Sequence, residues 1–390
     1  MKETHEYLIP DYYQNFACKI GACRNACCEG WPISFSLDDY YHLTGSECSA
    51  ELRRRLDTGV RIKLNPTPEA YAEIAPHFDG SCPMRLEDGR CAIHAELGEE
   101  SLSLVCRLYP RGVRLEHGYE CSCANSCEAV LELLFEEDMP ISFSFKEMTV
   151  NMPPLEKRKA YFETLGMEHI IRRYLTNVIQ DRSVSLPQRI AYLGAALDSM
   201  DIAIKNNDKA MLDGILAGEL QKKSVAPTEK NVSVEHIRFG LETVERIIEI
   251  LDARSDSIRA CGEAALAYFN GGDPIERYLT AKARFEELFP KWEIFYEHML
   301  VNHMFFSEFP FQDRPESMHE ECVALCAVYA IMRFLGLGCT AEGRGKDGLI
   351  DGMAATFRLV DHTEFDRYAS HLLKRLGCTE NGKLLDLISL

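Results

Sequence analysis

The sequence predicts a mainly α-helical protein in which a small cysteine-rich, metal-binding domain of irregular and short-strand structure precedes an α-helical domain. Three observations favour this fold class. Eleven of the 16 cysteines lie in the first 127 of 390 residues. That part is rich in turn dipeptides, whereas apolar residues beyond it recur every three or four positions, as they do in amphipathic helices. We therefore expect a cysteine-rich domain at 1–135 and a helical domain at 136–390.

The N-terminal part reads as short elements joined by turns. Alternating residues predict a strand over Trp31–Phe35, and Leu37–Leu43 has helical spacing. The prolines within Asn65–Pro68 exclude a helix there. Asp79-Gly80 and Asp88-Gly89 are turn dipeptides, each just before a cysteine. Loops set by such turns can direct several thiols to one point.

The second part reads as a bundle or array of amphipathic helices without βαβ alternation. Asp273-Pro274 is a helix start, because aspartate caps free amides and proline suits the first turn. We interpret Gly336-Leu337-Gly338 as a helix C-terminus and 225–231 as an exposed linker. The predicted helices are 155–179, 185–206, 234–252, 257–269, 278–289, 292–306, 316–335 and 363–376.

Length, composition and charge limit the classes of protein to which this chain can belong. Hydrophobic residues make up 46% of the chain, and the length suffices for two or three domains. The stretch nearest to a bilayer-spanning segment, 323–337, is interrupted by Arg333, so we predict a buried helix there. Peripheral membrane contact is left open.

The net charge of −18 argues against nucleic acid, whose binders present a basic face to phosphates. A negative field favours a lysine-rich or basic protein partner. Acidity that serves solubility alone is the simpler interpretation.

The cysteines form two groups that suggest metal ligation. The first ten residues are charged and lack the apolar run of a signal peptide, so we expect a reducing compartment and reduced thiols. Thiolates are the ligands that iron–sulfur clusters and structural zinc prefer. The first group is Cys18, Cys23, Cys27 and Cys28, and the second is Cys82, Cys91, Cys106 and Cys127.

The number of metal sites stays open. Neighbouring side chains of an extended segment point to opposite sides, so Cys27 and Cys28 would rarely bind one ion together. Eight thiols could form two four-thiolate sites, or one cluster with buried spare cysteines. Cys322 and Cys326 lie one helical turn apart among apolar residues, which favours core packing over chelation.

Several short blocks add a resemblance. They are Asp11–Phe16, the first four cysteines, Glu29–Ile33, Gly89–His94, Glu96–Glu100, Cys106–Arg111 and Ser126–Ala129. Together they resemble the flagellin lysine-N-methylase family, which carries a cysteine-rich zinc- or iron-chelating module. The helical half is similar more loosely, at Leu300–His303 and Phe309–Phe311.

The resemblance implies S-adenosylmethionine-dependent methylation of lysine ε-amino groups on flagellin, or on another lysine-bearing protein, in the cytoplasm. It also implies an oxygen-sensitive [4Fe-4S] cluster, with zinc as the alternative metal and the eight cysteines as candidate ligands. Three residues depart from the family pattern. Cys121 and Cys123 stand where hydrophobic or hydroxyl residues are expected, and Glu128 stands where a proline is expected.

Four further residues are candidates for the site. Arg107 and Arg111 flank Pro110 beside Cys106, and they could neutralise an anionic cluster or bind the carboxylate of the methyl donor. A surface ion pair is the alternative. Asn302 and His303 interrupt an apolar helix where polar groups need partners, which suggests a role in a site.

Two functions of different classes therefore compete. One is a protein-lysine N-methyltransferase. The other is a non-catalytic iron–sulfur or zinc module that binds a partner or passes electrons.

Overall fold

The computed structural model describes residues 2–24, 27, 33–78, 80–115, 118–151, 166–218, 233–252, 256–311, 317–379 and 381–390. Trp31, Cys28 and the predicted linker at 225–231 lie outside these ranges. The mainly α-helical fold class is confirmed. The strands are β1 (Lys2–Pro10), β2 (Ser34–Phe35), β3 (Val60–Ile62), β4 (Ala72–Ile74), β5 (Arg111–Arg114), β6 (Glu120–Cys123) and β7 (Phe143–Asn151).

The helices fall on both sides of residue 140. The first five are α1 (Leu37–Gly45), α2 (Ala50–Gly59), α3 (Ala92–Leu97), α4 (Leu104–Leu108) and α5 (Glu128–Glu136). The remainder are α6 (Glu168–Ile179), α7 (Leu186–Lys205), α8 (Lys209–Leu216), α9 (Val234–Asp252), α10 (Asp256–Asn270), α11 (Pro274–Leu288), α12 (Trp292–Phe306), α13 (Met318–Ala341), α14 (Lys346–Val360), α15 (Phe365–Arg375) and α16 (Asn381–Ile388).

A four-stranded sheet with strand order β5-β6-β1-β7 organises the N-terminal part. β1 and β7 are antiparallel and pair from Lys2 with Asn151 to Pro10 with Phe143. β7 differs from the sequence reading, which placed only helical patterns after residue 140. The alternation in Phe143-Ser144-Phe145 is that of a strand, so the sheet uses residues from both sides of the predicted boundary.

A smaller sheet, β2-β4-β3, packs with α1 and α2 around its own core. α1 starts where the helical spacing predicts, because Ser36 and Asp39 form a reciprocal capping box. This small core includes Cys82, whose side chain is buried.

The helical predictions hold best where the apolar periodicity is long. α9 and α12 have the predicted bounds. At the start of α11, the Asp273 carboxylate accepts hydrogen bonds from the amides of Ile275 (2.8 Å) and Glu276 (3.3 Å), as the cap predicts.

The end of α13 differs from the prediction, because the helix continues through Gly336-Leu337-Gly338 to Ala341. These glycines serve close packing rather than termination. A Cβ on Gly336 would lie 2.3 Å from the Tyr296 hydroxyl, and one on Gly338 would lie 2.5 Å from Cβ of Ala265. Their missing side chains let α12 and α10 approach α13.

Helix α13 is also the one helix of the described residues that is long and apolar enough to cross a membrane, and its apolar window is wholly buried inside the protein. Within it Cys322 and Cys326 pack in the core, as predicted. Arg333 is 1% exposed. Its guanidinium lies 3.8 Å from the Trp292 ring centroid, and its Nε donates to the Leu390 carbonyl at 3.1 Å. The predicted buried helix is confirmed.

A histidine at the start of α13 gives a pH-dependent contribution to stability. His319 Nδ1 lies 2.5 Å from Asp198 Oδ1, and this hydrogen bond raises the pKa of His319 from 6.5 to about 9. A raised folded-state pKa stabilises the protein fully below pH 6.5, and that stability is lost as pH rises through about 9. We expect a loss of about 2–3 kcal/mol over this window, measured by urea unfolding. Asp198→Asn should flatten it, and an unchanged slope would contradict the assignment.

Candidate functional site

Tyr12 and Asn302 join the N-terminal sheet to the helical half. The Tyr12 hydroxyl donates to Asn302 Oδ1 at 2.5 Å and accepts from the amide of Cys123 at 3.1 Å. Asn302 Nδ2 donates to the carbonyl of Cys123 (2.8 Å) and to Asn125 Oδ1 (2.7 Å). Burial raises the pKa of Tyr12 well above its usual value, so its proton stays on the phenol. Asn302 therefore lies in a buried polar junction.

Asp361, at the end of α14, extends this junction. Its Oδ2 accepts a hydrogen bond from the backbone amide of Asn125, and its Oδ1 is hydrogen-bonded to His303 Nδ1, both at 2.9 Å. Burial opposes protonation of His303, but the hydrogen bond and charge of Asp361 outweigh it, so the pKa of His303 is raised. The side chains of His303 and Asp361 are 2% and 0% exposed, which makes them a buried charge-assisted pair.

A second chain of hydrogen bonds, through Tyr109, Ser126 and His362, lies next to this junction. The Tyr109 hydroxyl lies 3.1 Å from Ser126 Oγ, which lies 2.8 Å from His362 Nε2. Burial lowers the pKa of His362; the charge of Asp361 opposes this effect, and those of Arg114 and Arg358 add to it. His362 is therefore neutral near pH 7 and can accept a proton. The Tyr109 and Phe306 rings lie 6.0 and 6.2 Å from the His362 ring.

Thiols of both predicted groups lie next to this junction. Cys18 and Cys23 both raise the pKa of Cys127, after the larger effect of burial, to about 11. Cys27 and Cys127 both act on Tyr109, whose pKa is raised mainly by burial. Cys18 and Cys23 therefore lie near Cys127, and Cys27 and Cys127 lie near Tyr109.

Gly21 and Gly89 allow close contact between two loops: the first cysteine loop, which carries Cys18 and Cys23, and the second, which leads to Cys91. Gly21 and Gly89 have φ angles of +91° and +83°, and a Cβ on Gly21 would lie 2.4 Å from the Gly89 carbonyl carbon. Neither position tolerates a side chain. Cys91 lies two residues after Gly89 and pairs with Arg85 in an isolated β-bridge.

The remaining candidate ligands have different surroundings. Cys91 is half-buried and Cys106 is exposed, whereas Cys82 packs in the small core. Cys28 lies outside the described ranges. Within those ranges, no group of three or more His, Cys, Asp or Glu side chains is placed so that it could hold a metal ion. The thiols are of the chemical type that binds such metals. Because the described residues do not bring them together at one point, the ligand set stays a prediction.

The two unexpected thiols are buried, Cys121 in a small core of the four-stranded sheet and Cys123 in the large core that the helices form. Cys121 and Cys123 are buried in β6, and Cys121 Sγ donates to the Tyr13 hydroxyl at 3.2 Å. Burial raises the pKa of Cys121 to about 11. Both thiols are therefore protonated at neutral pH.

The two arginines predicted for donor binding occupy separate places. Arg107 Nη1 lies 3.9 Å from Glu100 Oε2, and its buried Nε has no hydrogen-bond partner in the part of the chain that the structure describes. The Arg111 guanidinium lies 5.1 Å from the Phe16 ring centroid. Neither residue belongs to the Tyr12 junction.

Comparison with known families identifies the helical half. Residues 172–387, more than half of the chain, match the family described as FliB lysine N-methylase C-terminal domain. The chain belongs to the FliB lysine N-methylase family. This confirms the resemblance drawn from the cysteine blocks.

Three relatives match shorter stretches. Lysine-N-methylases of Salmonella choleraesuis (strain SC-B67) and Salmonella typhimurium (strain LT2) are 28% and 27% identical over 153 residues. Each alignment covers 37% of this chain and 37% of the relative, so the chain spans little more than a third of those relatives. Flagellar biosynthetic protein FliU of Salmonella muenchen is 27% identical over 117 residues, 30% of this chain and 67% of that protein. No solved structure matches.

The FliB domain supplies one side of the candidate site. Asn302, His303, Asp361 and His362 lie inside the matched range, whereas the clustered thiols and Tyr109 precede it. Sequence reasoning missed Asp361 and His362. A polar pair directly after the apolar helix α14 is the local signal that could have indicated them.

Proposed function

We propose that this protein methylates lysine ε-amino groups of flagellin, or of another lysine-bearing protein, in the cytoplasm, with S-adenosylmethionine as donor. The observation that carries the proposal is the match of residues 172–387 to the FliB lysine N-methylase domain. The names of the relatives support lysine as the methylated residue and the flagellum as the context. The formal charge of −18 suits a lysine-bearing partner.

The chemistry requires removal of a proton. An ammonium has no lone pair, so substrate lysine must first lose a proton to a base. The amine then forms a bond to the methyl carbon while the carbon–sulfur pair returns to sulfur, which becomes a thioether. His362 is the candidate base, because its Nε2 lies 2.8 Å from Ser126 Oγ, which in turn lies 3.1 Å from the Tyr109 hydroxyl, and its lowered pKa favours the neutral imidazole.

We further propose that the cysteines hold a [4Fe-4S] cluster. The electrostatic effects of Cys18 and Cys23 on Cys127, and of Cys27 and Cys127 on Tyr109, support a thiol-rich neighbourhood, and the full candidate set adds Cys28, Cys82, Cys91 and Cys106. Thiolate donors are those that such clusters and structural zinc use. When bound, a cluster would supply a one-electron redox centre and would cross-link the cysteine loops.

Protein purified without oxygen provides the test. We expect this protein to contain iron and sulfide in equal amounts. When it is incubated with flagellin and a deuterated methyl donor, we expect mass spectrometry to detect labelled methyl groups on flagellin lysines. Cys127→Ser should abolish bound iron, whereas Cys48→Ser, outside the proposed ligand set, should not. If the purified protein contains zinc but no sulfide, the metal is a structural zinc ion and the proposed cluster is wrong. Bound metal without methylation of any lysine would favour a non-catalytic module.

A further inference from the structure

The first cysteine loop is fixed by one buried carboxylate, that of Glu128. Glu128 is the first residue of α5 and follows Cys127 directly. Its Oε1 accepts from Lys19 Nζ at 2.6 Å, and its Oε2 accepts from the backbone amide of Arg24 at 2.8 Å. The Glu128 side chain is 1% exposed. Both oxygens therefore bind the loop that carries Cys18 and Cys23.

The same loop is tied to the FliB domain by Arg24. Arg24 Nε lies 3.0 Å from Asp351 Oδ1 and Nη1 lies 3.3 Å from Asp347 Oδ1, both on α14. Helix α14 ends beside Asp361, in the polar junction. One loop thus connects the helix that follows Cys127 with the helix that leads to Asp361, the partner of His303.

We propose that Glu128 is a positioning residue that holds residues 18–24, and with them Cys18 and Cys23, beside Cys127. Hydrogen bonds to side chains that carry metal ligands commonly set ligand orientation, and their loss costs metal affinity. A buried carboxylate is stable here because a cation and an amide satisfy both oxygens. The effect on metal binding rests on the proposed cluster, whereas the order of the loop does not.

Glu128→Gln is the sharpest variant, and Glu132→Gln is its matched control. Glutamine keeps one acceptor oxygen but turns an NH2 group toward either the Lys19 ammonium or the Arg24 amide. Glu132 lies one helical turn away and also contacts Lys19 Nζ at 2.6 Å. Its carboxylate lies 3.5 Å from the Arg24 guanidinium, whereas the Arg24 amide donates to Glu128, and it is 28% exposed. The two variants remove the same charge from one helix face.

The first readout is hydrogen exchange of the Arg24 amide in metal-free protein. We expect Glu128→Gln to accelerate it about 10-fold or more, as loss of a charged hydrogen bond implies, and Glu132→Gln to leave it near wild type. The second readout is iron and sulfide retained against a chelator after anaerobic reconstitution. Here we expect a fall in affinity of about 10- to 100-fold for Glu128→Gln alone.

The outcomes separate the proposal from the function. Unchanged exchange in Glu128→Ala, which keeps no acceptor for the Arg24 amide, or equal loss of iron in Glu128→Gln and Glu132→Gln, would overturn the role of Glu128. Wild-type protein that never binds metal would instead remove the proposed cluster, and the metal-positioning role with it. If Glu128→Gln fails to fold, Lys19→Met removes one partner of the same carboxylate. It should produce a smaller loss of iron, and wild-type iron retention would count against the proposal.

Discussion

Replacing Asp361 with alanine should lower the free energy of unfolding by about 3–5 kcal/mol, as removal of one partner from a buried charged pair generally does. The Asp361 side chain is 0% exposed and accepts from His303 Nδ1 and from the Asn125 amide. Without it, both donors stay buried and lose their partner. Urea unfolding followed by circular dichroism measures the loss.

The pH dependence of this loss identifies its cause. Because Asp361 raises the pKa of His303, the charged pair stabilises the folded protein fully below the unfolded pKa of 6.5. That contribution is lost as pH rises through the higher folded pKa, so the difference between wild type and Asp361→Ala should shrink there. Glu364→Gln is the control, since Glu364 is exposed and its ion pair with Arg367 contributes little. A loss independent of pH would assign the effect to the Asn125 amide alone.

Apolar spacing and capping residues predicted most helices, but they failed at the end of α13, where packing between helices determines the structure. α9 and α12 follow from apolar spacing, and Asp273 from capping chemistry. Gly336 and Gly338 carry a helix-ending signal in the sequence. Their role becomes apparent only when Tyr296 and Ala265, distant in the chain, pack against them.

The candidate site divides in the same way. Asn302 and His303 could be predicted, because polar residues in an apolar helix need buried partners, and the structure supplies those partners. Asp361 could not, since its amide partner Asn125 lies 236 residues away in the chain. No periodicity links such positions. The thiols could be named as candidate ligands, but their grouping depends on contacts such as Gly21 against Gly89.

The second large effect is expected at Glu297, about one turn before Asn302 in α12. Its carboxylate is 0% exposed and binds two arginines. Arg182 Nη2 lies 2.8 Å from Oε1, and Arg189 Nη1 lies 2.5 Å from Oε2. Arg182 also donates to the carbonyl of Asp138, just after α5. Helix α12 therefore holds the segment around α5 at Glu297 and the cysteine-bearing sheet at Asn302.

Glu297→Gln should lower the free energy of unfolding by about 3–5 kcal/mol, because Arg189 is 3% exposed and would keep its charge without a full counter-charge. Glu293→Gln is the matched control. Glu293 also contacts Arg189, at 3.1 Å, but is 34% exposed, so we expect less than about 1 kcal/mol from its loss. Equal effects would mean that water, rather than Glu297, solvates Arg189. Double replacement of Glu297 and Arg189 by Met should recover part of the loss, because it removes the buried uncompensated charge, whereas Arg182 loses its partner but is 29% exposed to water.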